Sequence, residues 1–229
     1  MRVTRAVVAE ALGTGLLLAT VVGSGILAER LCGGNVGLAL LCNALATGAG
    51  LFALIETFGP VSGAHFNPAV TMAMALERRL PGRVALAYVG AQVVGAIGGV
   101  AVANRMFELP FFTLSAHART GGGQWLAEAV ATFGLLVTIL GARRERGAFA
   151  VASYVVAAYW FTASTAFANP AVTLARALTD TFAGIRLDDV PPFVAAQVVG
   201  AVAAWGTFRW LLRPTASPPD ATRPAPPTR

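Results

Sequence analysis

The sequence predicts an all-α membrane protein: six transmembrane helices plus two re-entrant half-helices, arranged as an inverted repeat. Three observations lead there: a shortage of charge, six long apolar runs, and a short polar motif that occurs twice at matched positions. Hydrophobic residues make up 56% of the 229 and charged residues only 12%, against about 25% charged in an ordinary soluble domain. That leaves too little charge to cover a water-facing surface, and the mean hydropathy of +0.67 agrees.

Apolar runs close to the ~20 residues that cross a bilayer occupy 6–27, 36–55, 84–103, 125–140, 149–167 and 193–212. Each is rich in Gly and Ala, which let helix backbones approach closely in lipid. The fourth run is short, and extension back through 121–123 brings it nearer to spanning length. The first is too long for the apolar region of a cleavable signal peptide and carries Glu10. Cys32 and Cys42 form no disulfide framework and lack metal-ligand spacing. No metal or cofactor is expected.

The +6 net charge follows the membrane and does not point to nucleic acid. With the N-terminus cytoplasmic, twelve of the 17 positive residues fall inside. Four fall outside (Arg30, Arg105, Arg119 and Arg186), with Arg176 set apart. This is the positive-inside bias, and it predicts cytoplasmic N- and C-termini in a cell membrane. Residues 214–229 are Pro-rich and read as a disordered cytoplasmic tail.

Self-comparison yields three matched blocks in one order. Glu10 with Thr14 matches Glu128 with Thr132, at an offset of 128 − 10 = 118. Asn67-Pro68-Ala69-Val70-Thr71 returns as Asn169-Pro170-Ala171-Val172-Thr173, and the block around Gln92 returns around Gln197. Each half, 1–112 and 113–213, thus holds three spans plus one Asn-Pro-Ala segment. An odd number of crossings inverts the second half, and inverted repeats meet at the bilayer midplane.

Asn is a favoured N-cap and Pro a favoured first helical residue, so Asn67-Pro68 and Asn169-Pro170 each start a helix. Both helices stay apolar for about nine residues, 68–76 and 170–178. Nine residues reach roughly 14 Å, half the hydrocarbon thickness. The half-helix segments are set at 67–77 and 169–179. The stretches before them, 59–65 and 162–168, would run to the midplane without regular structure, which is tolerated only where they line a cavity or pack in protein. The carbonyls of Gly63, Ala64 and His65, and of Thr165, Ala166 and Phe167, then form a ladder of acceptors. Two helix N-termini meeting at the centre oppose cations and protons, and the Asn67 and Asn169 amides donate to neutral oxygens.

At these residues the chain resembles the aquaporin (major intrinsic protein) family over 5–212. The SGAHFNPAV stretch, the second NPA and the paired Glu and Gln carry the likeness. More narrowly, it resembles a divergent bacterial aquaglyceroporin-like member. The resemblance implies an aquaporin-like fold, a homotetramer with one pore per subunit, and structural roles for Glu10 and Glu128, with Gln92 and Gln197 beside them. Water-selective members have Arg three residues after the second Asn, and here that residue is Val172. Carry-over without gaps puts Thr47, Ala157, Ala166 and Val172 at the outer constriction, all small. Arg176, one turn beyond Val172, is read as structural or loop-pairing, with a lean towards the pore as the alternative. A shift that brought in Tyr159, Trp160 or Phe161 would narrow the pore.

The implied function is a passive channel for water and small neutral solutes such as glycerol-like polyols, excluding ions and protons. The stretch FTASTAFANPAVTLAR resembles bacterial members associated with arsenic handling, which extends the expectation to metalloid hydroxides such as arsenous acid. Two alternatives stay open: a strictly water-selective channel, and a proton-coupled transporter using Glu10, Glu128 or Glu56. The matching of Glu10 and Glu128 across the repeat favours support of the two half-helices over coupling. No enzyme is expected. His65 and His117 are the only histidines, and no nucleophile relay surrounds them.

Overall fold

The computed structural model describes residues 2–211, so the Pro-rich tail lies outside the described residues. Eight α-helices follow one another: α1 (Arg2–Leu31), α2 (Val36–Ser62), α3 (Pro68–Leu76), α4 (Gly82–Met106), α5 (Gly122–Gly141), α6 (Gly147–Phe161), α7 (Pro170–Arg176) and α8 (Val190–Leu211). Helices α1, α2, α4, α5 and α8 are long and apolar enough to cross a membrane. The sixth span, α6, has 15 residues, about 22 Å at 1.5 Å per residue, and a 3₁₀ turn at Arg144–Arg146 leads into it. With 9 and 7 residues, α3 and α7 are the half-helices. We term the face carrying the N-terminus the inner face and the opposite one the outer face.

Two boundaries differ from the sequence reading, those of α2 and α7, and one agrees with the irregular stretch expected at 162–168. Helix α2 does not unwind at Gly59 but runs through Pro60 to Ser62. Proline removes one hydrogen bond without ending a helix whose other turns are held. The stop comes at Gly63, whose φ of 88° is left-handed and whose N–H reaches back to the Gly59 carbonyl. The fifth run leaves helical geometry after Phe161, so 162–167 belongs to the re-entrant segment. Helix α7 ends at Arg176, before the expected 178: the N–H groups of Ala177 and Leu178 turn to the carbonyls three residues back, Leu174 and Ala175, and the loop N–H groups of Ser115 and Thr113 take the carbonyls of Ala177 and Leu178.

Packing repeats the inversion. Helix α1 lies against α2 and α4, α5 lies against α6 and α8, and α2 meets α6 between the halves. The half-helices cross over: α3 packs on α8 of the second half, and α7 on α4 of the first. Helix contact without a hydrophobic drive between lipid-bathed helices depends on close backbone approach, and glycine supplies it at matched places. A Cβ at Gly95 would lie 2.1 Å from the Ala11 carbonyl oxygen, and one at Gly200 would lie 2.2 Å from that of Ala129.

Gly95→Leu is therefore expected to force α1 and α4 apart, costing on the order of 3 kcal/mol or more and most of the folded yield. Gly98→Ala, where a Cβ meets nothing within 4 Å, should stay within about 0.5 kcal/mol of the parent. Thermal unfolding in detergent, followed by circular dichroism, checks both.

Candidate functional site

Two short segments carry the site, residues 63–67 and 162–169, each descending without regular structure into a half-helix. In hydrocarbon every backbone N–H needs an internal partner, and here buried carboxylates provide it. Glu10 Oε1 accepts from the His65 N–H (3.0 Å) and the Ser62 hydroxyl (2.6 Å), and its Oε2 from the Phe66 N–H (2.7 Å) and Gln92 Nε2 (2.8 Å). Glu128 repeats the pattern, accepting from the Phe167 N–H (2.9 Å), the Ala168 N–H (2.9 Å) and Gln197 Nε2 (2.6 Å). The same glutamine nitrogens also donate to the half-helix threonines, Gln92 to Thr71 (2.9 Å) and Gln197 to Thr173 (2.8 Å). Glu10, Glu128, Gln92 and Gln197 have no exposed surface.

These clamps hold backbone that L-residues adopt rarely. Ala64, Phe66, Thr165, Ala166 and Ala168 all have φ between 48° and 60°, the left-handed region that costs non-glycine residues energy. The carbonyls of residues 63–65 and 165–167 accept no hydrogen bond among the described residues.

At the centre the two halves join through their asparagines. Asn67 Oδ1 caps α3 by accepting from Ala69 N–H at 2.8 Å, and Asn169 Oδ1 caps α7 by accepting from Ala171 N–H at 3.0 Å. Each Nδ2 then donates across the interface, Asn67 to the Ala168 carbonyl and Asn169 to the Phe66 carbonyl, both at 2.8 Å. An amide nitrogen has two hydrogens, so one remains on each asparagine beyond the bond that fixes its rotamer.

Both asparagines line a cavity of about 600 Å³. Its inner end is bounded by Glu56, Arg144 and Gly147, and Gly63, Ala64 and His65 follow. The His65 ring is held through Nδ1 to the Thr71 hydroxyl at 3.1 Å, with its edge toward Tyr88. Toward the outer face the wall passes to Thr47, Ala158, Tyr159, Ala166, Val172 and Arg176. The Thr47 and Tyr159 hydroxyls pair at 3.3 Å.

Two sequence assignments fall away here. Ala157 is exposed on the outside of α6 and does not line the cavity, whereas Ala158 and Tyr159 do. At 100° per residue, positions 157 and 159 lie on nearly opposite sides of a helix. The inward positions Ala148, Val151, Val155 and Ala158 keep the spacing of one helix face, a signal that could have excluded 157. Thr165 does not line the cavity, so the second row of carbonyls at its wall begins at Ala166.

Arg176 occupies both places weighed for it. Its Nε donates to the Ala183 carbonyl in the following loop, its guanidinium carbon lies 3.4 Å from the centre of the Phe167 ring, and the residue lines the cavity. Arg119 escaped the sequence reading. From the 107–121 connection it donates Nε to the Gly184 carbonyl at 2.8 Å and stands 5.0 Å from the same Phe167 ring. Desolvation, with Arg119 and Arg176 nearby, holds His117 below the usual histidine range. That shift favours the neutral ring, and the positive charge at the outer end is carried by the arginines.

Known proteins resemble this chain in sequence and in fold. The sequence model of the family described as "Major intrinsic protein" matches residues 1–159 and 145–226. An aquaglyceroporin, AqpS, of Rhizobium meliloti (strain 1021) is 56% identical over 92% of this chain and 91% of its own. Aquaporin AqpM of Methanothermobacter thermautotrophicus is 32% identical over 77% of this chain and 82% of its own. Among solved structures, the aquaglyceroporin from Plasmodium falciparum superposes with a TM-score of 0.71 at 20% identity, covering 93% of this chain and 98% of that one. The chain belongs to the major intrinsic protein family, whose members are multi-pass membrane channels and not enzymes.

Proposed function

We propose that this channel passes small neutral solutes larger than water, namely glycerol-like polyols and undissociated metalloid hydroxides such as arsenous acid, and excludes ions and protons. The observation that carries the reading is Val172 on the cavity wall three residues after Asn169. A small apolar side chain there leaves cross-section for a branched, uncharged solute. Its hydroxyls would exchange along the free carbonyls of Gly63, Ala64, His65, Ala166 and Phe167 and the spare N–H of Asn67 and Asn169. Tyr159 in place of Ala157 narrows the passage from one side and brings an aromatic wall and a second hydroxyl beside Thr47, while Val172 keeps its own side small, which suits a polyol with a polar and an apolar side. Kinship with an aquaglyceroporin at 56% identity supports the same solute class.

Exclusion of cations and protons belongs in this reading to the half-helix N-termini, which meet at Asn67 and Asn169 with about half a positive charge each. We further assign residues 1–112 and 113–213 as the two repeats, the termini to the cytoplasm of a cell membrane, and the native state to a homotetramer with one pore per subunit. Glu10 and Glu128 act as backbone clamps. With every oxygen engaged by N–H or O–H donors, neither is placed to shuttle protons.

Purified protein in liposomes is expected to swell in inward gradients of glycerol and of arsenite at pH 7, with no dependence on a proton gradient. Water permeation with neither solute passing would refute the wide-constriction reading. Proton-driven uptake lost in Glu10→Gln would favour the transporter instead. Val172→Arg should cut glycerol permeability roughly tenfold or more while water still passes, measured by stopped-flow light scattering.

A further inference from the structure

We infer that Arg176 is the cation-excluding and solute-orienting residue of the outer constriction, taking from one helical turn further out the charge that position 172 lacks. The inference rests on the neutral-solute channel reading and adds to it a specificity residue. Arg176 is only 3% exposed, yet it forms part of the cavity wall. Buried arginines are ordinarily paired with carboxylates, but the salt bridges among the described residues all belong to Arg186. Its Nε is committed to the Ala183 carbonyl, while its Nη nitrogens meet no acceptor among the described residues. Two donor nitrogens of a guanidinium are thus left at the cavity wall, one turn beyond Val172, where the other side-chain polar groups are the Thr47 and Tyr159 hydroxyls.

The surroundings fix that geometry. The Phe167 ring lies flat enough beneath the guanidinium for cation–π contact at 3.4 Å, and Phe193 abuts that ring edge-on at 5.4 Å. Arg119 adds a second positive charge on the same ring at 5.0 Å. Glu128 spends its oxygens on the Phe167 and Ala168 N–H groups and on Gln197. The outer end of the cavity is therefore electropositive by construction. It repels cations arriving from outside and offers two N–H donors to the oxygen of a neutral solute, while Val172 keeps the passage wide. Charge and width, which one side chain at position 172 would couple, are separated.

The test uses the full chain in liposomes, with glycerol swelling and the Na⁺/Cl⁻ permeability ratio from dilution potentials as paired readouts. Arg176→Gln retains a donor for the Ala183 carbonyl and a flat group over Phe167 but removes the charge. It is expected to lower glycerol flux severalfold without abolishing it and to raise the Na⁺/Cl⁻ ratio on the order of tenfold, and Arg176→Lys should restore the ratio. A glycerol-permeable Arg176→Gln channel whose ratio equals that of the parent overturns the assignment. A parent that passes no glycerol overturns the channel reading beneath it. Should Arg176→Gln not fold, the parent's own residual leak decides: preference for Cl⁻ over Na⁺ supports the proposal, and equal passage or preference for Na⁺ overturns it.

Discussion

Everything in this structure depends on two carboxylates buried where carboxylates are rare. A re-entrant segment in a membrane leaves N–H groups that no water can reach, and each orphan costs several kcal/mol. Glu10 and Glu128 each gather two of those N–H groups and one glutamine. The desolvation of each acid is offset by charge-assisted hydrogen bonds, and in return five non-glycine residues sit at left-handed φ. Carbonyls released from helical bonding are what a hydrophobic channel needs, since they supply acceptors without fixed charge. The carboxylates make irregular backbone tolerable, and the irregular backbone makes a polar path.

Width and charge along that path come from different side chains. Val172 and Ala166 set a small apolar boundary, and Thr47 with Tyr159 adds hydroxyls on the facing wall. Positive charge stands one turn further out at Arg176 and behind it at Arg119. The inner end is mixed in sign, with Glu56 and Arg144 on one rim. The two ends of the cavity thus differ electrically although the scaffold around them is repeated.

Much of this was legible in the chain. The span count, the half-helix starts and the matching of Glu10 with Glu128 and of Gln92 with Gln197 followed from the apolar runs, from self-comparison and from the capping preference of Asn-Pro; that each Gln bonds to its Glu is seen only in the structure. Helix α6 was harder to read because it is apolar all round, so hydropathy cannot separate its lipid face from its cavity face, and Ala157 was carried to the wrong side. The stretch from residue 59 was read as irregular, though α2 continues through Pro60 to Ser62 and stops at Gly63. Arg119 left no signal. It lies in a 15-residue connection between α4 and α5 without periodicity, and its place is set by carbonyls 63 and 65 residues away in sequence.

The crossed asparagine bonds carry a consequence for biosynthesis. Asn67 donates to Ala168 and Asn169 donates to Phe66, so neither half can complete its own central segment. When the first three spans have left the ribosome, the loop before α3 is clamped by Glu10 but its Phe66 carbonyl still lacks a donor. That donor is made only a hundred residues later. Neither central segment can therefore complete its hydrogen bonding before Asn169 has been synthesised and both halves are side by side.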